Sequence, residues 1–291
     1  MGLWANTLIR LIKSRTLVYA FALSALGVFL ITTGGKVTDL TIPIRLVVAC
    51  YFLALATYLY NDITDYKTDT VNKRNSIYNL ENRRQQITKY YTITFFVVST
   101  MLAFSINIPT GIASVAFSIL ALLYSHPKTH LKNMFVIKTA VTGGGAFIIS
   151  MMGCLSSGSF SSLGVVSSLI GFSFYFILGP LGDIGDLKGD KEDGRRTFPI
   201  VIGIKNSFML MIVATFAISS IFLISNVLFG INIIGVGLGI TVTLFMLIRI
   251  IQASRKYTNK LELGRYRNSI RYCMFACQIS MLVGTALVGM T

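Results

Sequence analysis

Charge is scarce in this sequence, and acidic charge is scarcer still. Only 13% of the 291 residues are Asp, Glu, Lys or Arg, and eleven acids stand against 26 bases, a formal net charge of +15. A chain that is 54% hydrophobic, with a mean hydropathy of +0.70, has too few polar residues to clothe a water-soluble domain and falls in the membrane class. Cysteine and histidine are few as well. Cys50, Cys154, Cys273 and Cys277 all fall in or beside apolar runs, where a thiol packs as a small hydrophobe, so no disulfide framework is implied. His126 and His130 have the spacing of helical metal ligands, but they share a Pro-containing loop with two lysines and have no neighbouring carboxylate, which argues against zinc. Alternation of apolar and polar residues is missing too, so membrane strands are not expected.

What the chain does have is long apolar runs, roughly at 17–33, 41–60, 90–106, 109–124, 136–153, 162–181, 207–224, 231–251 and 270–289. Each is near the ~17–25 residues that cross a bilayer as a helix, and a helix satisfies its own backbone polar groups in lipid. The pattern predicts an all-α integral membrane protein with nine transmembrane helices in one polytopic domain over 1–291. The first run is long for a signal-peptide core and ends without a convincing cleavage site, so it is read as the first span. Assigning each Lys and Arg to the loop or helix end it borders puts 24 of the 26 on one side, with only Lys36 and Arg45 opposite. The positive-inside rule makes that side cytoplasmic, with the N-terminus inside and, after nine spans, the C-terminus outside. The positive charge then describes a rim facing anionic headgroups of membrane lipids, not a nucleic-acid surface.

Six of the eleven acids sit in two matching phrases. Residues 62–69 read DITDYKTD and residues 183–190 read DIGDLKGD, sharing Asp, Ile, Asp, Lys and Asp at five of eight positions. Each begins on the basic side where an apolar run, the second or the sixth, gives out. Four spans separate them, an even number, as a parallel internal repeat requires; halves at about 1–153 and 154–291 would set the copies facing across a central cavity. The i, i+3, i+7 spacing brings three carboxylates to one face if the helix continues through them. Unit charges ~4 Å apart repel by about 1 kcal/mol in water and about 4 kcal/mol at an effective dielectric of 20, so a cation belongs among them. Aspartate oxygens without His or Cys are hard ligands that suit Mg²⁺, completed by water and a substrate phosphate. A solvated loop pairing these acids with Lys67, Lys73, Arg74, Lys188, Arg195 and Arg196 is the plainer reading; repetition at matching run ends argues against it.

Asn61-Asp62-Ile63-Thr64-Asp65-Tyr66-Lys67-Thr68-Asp69 resembles the NDxxDxxxD motif of the UbiA superfamily of membrane prenyltransferases. Asp183 to Asp190, followed by Gly194-Arg195-Arg196-Thr197, resembles its second aspartate motif, and the loop from Tyr124 to Lys132 is similar to its YSxPxRLK element. The resemblance implies nine helices around a cavity in which Asp62, Asp65, Asp69, Asp183, Asp186 and Asp190 hold two Mg²⁺ ions against a prenyl diphosphate. It makes Asn61, Asp62, Asp65, Asp183 and Asp186 the catalytic group. Lys13, Asn61, Lys67, Lys128, Lys132, Lys188 and Arg196 are then expected to contact substrate, with Tyr124 lining the pocket. The implied reaction transfers a prenyl group from a polyprenyl diphosphate to a lipophilic or aromatic acceptor and releases diphosphate. Two other readings stand beside it. A terpene cyclase on the same scaffold would capture the cation with its own chain, which the apolar stretch Gly179-Pro180-Leu181-Gly182 favours. A Mg²⁺- or phosphate-coupled transporter would place ionisable residues mid-membrane, where these runs have almost none.

Overall fold

The computed structural model describes residues 18–65, 82–126, 128–129, 131–192 and 194–288, together with Trp4, Leu8, Ile9 and Ile12. The apolar runs become helices, as they must where hydrocarbon offers no hydrogen bonds. Among the described residues nine helices have 15 residues or more: α1 Val18–Thr32, α2 Thr41–Thr64, α3 Asn82–Ile106, α4 Ile108–Ser125, α5 Ile137–Ser156, α6 Ser162–Gly185, α7 Gly203–Phe229, α8 Ile233–Lys256 and α9 Lys260–Val288. By length and composition eight, α2 to α9, can cross a membrane. The described part of α1 is 15 residues, and the residues just before it lie outside the described set. α3 and α9 begin well before the apolar runs expected at 90–106 and 270–289, because a helix continues into polar sequence that a hydropathy reading does not see.

Local chemistry sets several helix ends. Asn107 caps α4 by accepting the Thr110 N–H at 2.9 Å, and its amide donates to Leu155 O at 2.8 Å. Asn232 caps α8 through the Ile234 N–H at 2.9 Å, and Gly230, left-handed at φ 64°, closes α7.

A small apolar cluster of Val28, Met151 and Cys154 and two large ones form the interior of the described residues. One draws on α1 to α5 and includes Leu53, Leu59, Ile149 and Met152; the other draws on α6 to α9 with Ile31 of α1 and includes Phe174, Ile218 and Phe222. The outer surface is apolar as well, with Val227 80% exposed, the arrangement of helices whose outer solvent is lipid. Hydrogen bonds tie α1, α5 and α9 together: Ser24 and Ser150 hydroxyls meet at 2.8 Å, and Gln278 Nε2 donates to Ser24 Oγ at 2.7 Å. Small residues allow the closest crossings, since a Cβ on Gly153 would lie 2.0 Å from Ala25 O and one on Gly235 would lie 2.4 Å from Gly284 Cα.

Candidate active site

The acidic phrases mark the ends of two helices. α2 stops at Thr64, and Asp65 caps it with its N–H on Asn61 O at 2.8 Å. α6 stops at Gly185; Asp186 caps it with its N–H on Gly182 O at 3.1 Å, and a short helix, Leu187–Glu192, follows. The expectation of one helix continuing through each triplet is corrected here, because each long helix ends at the middle aspartate. In the second phrase Gly182, Gly185 and Gly189 supply the weakness, glycine being a poor helix former. Asp69, Lys67 and Lys13 lie outside the described residues.

Between these ends lies a cavity of about 300 Å³, lined from α1, α2, α4, α5, α6 and the segments joining them. Asn61 and Asp65 reach it from one phrase and Asp183, Asp186 and Asp190 from the other, so the two copies meet in one place. Lys132 pairs with Asp65 and Lys138 with Asp183. The α4–α5 connection delivers both lysines. It forms a 3₁₀ turn at Leu131–Asn133 and reverses at Val136, whose φ of 65° is strained for a β-branched residue. Lys138 then falls on the first turn of α5. Ser125 Oγ donates to Asn61 Oδ1 at 3.0 Å, and Arg195 Nη1 lies 3.7 Å from Asp190 Oδ1.

This cavity is short of positive charge. Asp183 Oδ2 and Asp190 Oδ2 are buried without a hydrogen-bond partner, a costly state for a carboxylate. Burial pushes the Asp190 carboxyl above its ordinary value, opposed by the charge of Lys138 and reinforced by Asp183. The donors are aspartate oxygens, a hard set that fits Mg²⁺. Among the described residues no three acidic, His or Cys side chains are grouped to hold an ion unaided. Mg²⁺ takes few protein ligands and completes its octahedron with water and phosphate oxygens, so a substrate phosphate would have to share in holding it here.

A profile of the UbiA prenyltransferase family matches residues 18–274. The chain belongs to this family. The UbiA-family chain is 25% identical over 231 residues to the digeranylgeranylglyceryl phosphate synthase of Pyrococcus furiosus, a match covering 79% of each. It is 26% identical over 165 residues to the enzyme of that name from Methanosphaera stadtmanae; this match covers 56% of the chain and only 59% of that relative. Its fold resembles that of a solved structure concerned with digeranylgeranylglyceryl phosphate synthase in membranes, with a TM-score of 0.77 and 17% identity over 98% of this chain and 100% of that one. It also resembles a UbiA homolog from Archaeoglobus fulgidus bound to DMAPP and Mg²⁺, with a TM-score of 0.63 and 14% identity over 90% and 96%. The UbiA-family chain thus has the helices of an integral multi-pass membrane protein, and its family is one of prenyltransferases, which sets the transporter reading aside.

Of the residues expected at the site, Asn61, Asp65, Tyr124, Lys132, Asp183, Asp186 and Asp190 line the cavity. Asp62 is buried but outside the lining. Lys128 and Lys188 are exposed and outside it, and Arg196 is exposed with its N–H on Asn133 O at 3.4 Å. In their stead Lys138 and Arg195 supply lining cations, and Phe21, Tyr58 and Tyr175 supply aromatic wall. Lys138 had a signal, a lysine at the mouth of an apolar run on the acidic side. Tyr58 and Tyr175 had one too: they precede Asp62 and Asp183 by one and two helical turns.

Proposed function

We propose that this chain is a Mg²⁺-dependent enzyme that moves a prenyl group from a prenyl diphosphate to a lipophilic acceptor and releases diphosphate. The convergence of Asp65 with Asp183, Asp186 and Asp190 on a cavity whose remaining wall is apolar and aromatic carries this reading. The Archaeoglobus fulgidus homolog bound to DMAPP and Mg²⁺ supports the donor and the metal. The names of the relatives favour a glycerophosphate lipid over an aromatic acceptor.

Asp62, Asp65 and Asp69 on one side, and Asp183, Asp186 and Asp190 on the other, would hold two Mg²⁺ ions. Bound there, the metal would neutralise the charge that builds on the departing diphosphate. Lys132 and Lys138 offer point charges to diphosphate oxygens, and Arg195 offers a fork that grips two. The allylic C–O bond breaks with its electron pair leaving on the diphosphate. The rings of Tyr58, Tyr124 and Tyr175 stabilise the allylic cation, while Phe117, Leu120 and Val141 shelter the prenyl tail. The acceptor's nucleophile then bonds the allylic carbon and gives up its proton. The acidic phrases and the N-terminus face the cytoplasm, with the C-terminus outside.

The test is to incubate purified protein with diphosphates of several chain lengths, with and without glycerophosphate-lipid and aromatic acceptors, in Mg²⁺ or EDTA, and to identify products by mass. Acceptor-dependent prenylation confined to Mg²⁺ is expected. Acceptor-independent hydrocarbon would select the cyclase, and full activity in EDTA would remove the metal.

A further inference from the structure

A second cavity, of about 510 Å³, lies against the first and shares Phe21, Tyr58, Lys138, Thr142 and Tyr175 with it. Its chemistry is the reverse of its neighbour's. No carboxylate lines it, and its charged residues are Lys138 and Arg271. Asn268, Arg271, Tyr272 and Phe275 fall at i, i+3, i+4 and i+7 of α9, so one face of that helix forms the wall. Arg271 Nη1 donates to Asn268 Oδ1 at 3.0 Å, and among the described residues no carboxylate pairs with Arg271.

One turn earlier on α9 is Arg267, whose Nε is buried without a hydrogen-bond partner. Like charges at i, i+4 repel, so two half-buried guanidinium groups at this polar end of α9 favour an anion between them. The rim is apolar and turned outward, with Tyr19 49%, Leu23 46% and Tyr272 72% exposed. The cavity therefore combines a cation in want of an anion with a wall suited to a lipid chain.

We propose that this second cavity is the acceptor site, in which Arg271 and Asn268 bind the phosphate head of a lipid acceptor whose chain lies along the aromatic rim. The inference rests on the prenyl-transfer reading and adds to it the cavity that takes the acceptor and the residues that recognise its phosphate. A neutral aromatic acceptor would leave Arg271 without a counter-ion, whereas the planar guanidinium matches two phosphate oxygens. The wall shared through Tyr58 and Tyr175 sets atoms next to the head beside the donor cavity.

The experiment measures kinetics of the wild type, Arg271→Gln and Asn268→Ala with one prenyl diphosphate and two acceptors, a single-chain glycerol phosphate lipid and the same lipid with its phosphate removed. The wild type is expected to prefer the phosphorylated lipid by about tenfold or more in kcat/KM. Arg271→Gln should raise the KM for that lipid about tenfold or more while the donor KM stays within about twofold. An unchanged acceptor KM, equal use of the two lipids, or a raised donor KM would each overturn the assignment. Thermal shift of the detergent-solubilised protein with the same two lipids separates the two readings. A rise in Tm with the phosphorylated lipid in the wild type alone, without turnover, keeps the anion site and sinks prenyl transfer. No shift in the wild type sinks the site.

Discussion

Asp183 is 5% exposed, with one oxygen on Lys138 and the other unpartnered. Taking away one member of a buried pair strands the other charge, at about 3–5 kcal/mol, whereas an exposed ion pair contributes about 0–1 kcal/mol. The near-isosteric Asp183→Asn keeps the shape of the site and leaves Lys138 the neighbouring charge of Asp190, so it should abolish turnover while the protein still elutes as a single detergent-solubilised species. Lys138→Met should lower kcat/KM for the donor by about 10- to 150-fold, the worth of a charged hydrogen bond. Lys128→Met, at an exposed position outside the cavity, should cost less than about threefold. A loss below about threefold at Lys138 as well would remove it from the diphosphate. Lys132 was legible, since it closes a motif-like loop; Lys138, six residues later, had only the weaker signal of a lysine at the mouth of an apolar run.

At the scale of helices, glycine decides how closely elements approach. Gly153 on α5 faces the backbone of α1, where an added Cβ would meet Ala25 O at 2.0 Å and Phe29 N at 2.9 Å. A backbone neighbour cannot rotate aside, so Gly153→Ala must separate the helices and should cost about 1–3 kcal/mol or more. A Cβ added to Gly237 on α8 would meet nothing within 4 Å, and alanine there should be neutral or stabilising by up to about 1 kcal/mol. Thermal unfolding in detergent checks the pair: Tm falls for Gly153→Ala and holds or rises for Gly237→Ala. A Gly153→Ala variant as stable as the wild type would refute the close α1–α5 crossing. Hydropathy located these helices but was blind to their ends at Asp65 and Asp186, because capping turns on backbone geometry and glycine placement within a few residues.

For the molecule as a whole, the basic edge and the acidic phrases are proposed to share the cytoplasmic side, and the halves near 1–153 and 154–291 to be parallel repeats. Lys188, Lys256 and Lys36 are exposed, the first two proposed on that side and Lys36 on the other, and all four native cysteines are buried. In a cysteine-free background, Lys188→Cys and Lys256→Cys should react with an impermeant thiol reagent only from inside. Lys36→Cys should react only from outside. Labelling of the first two from opposite faces would break the shared cytoplasmic side.

Membrane class, the apolar runs, the crowding of bases on one side and the doubled aspartate phrase are all written along the chain, because hydropathy and charge are properties of short stretches. The pairing of charges is not. Lys132 meets Asp65 across 67 positions and Lys138 meets Asp183 across 45, and neighbouring residues on a helix point about 100° apart. Which lysine of a basic loop faces the aspartates, and whether Arg271 turns toward a cavity or toward lipid, therefore depends on how each helix is rotated against the next. Packing sets that rotation, through glycine crossings and facing side chains drawn from distant parts of the chain. It placed Lys138 and Arg195 at the first cavity in preference to Lys128, Lys188 and Arg196, and it made the second cavity at all.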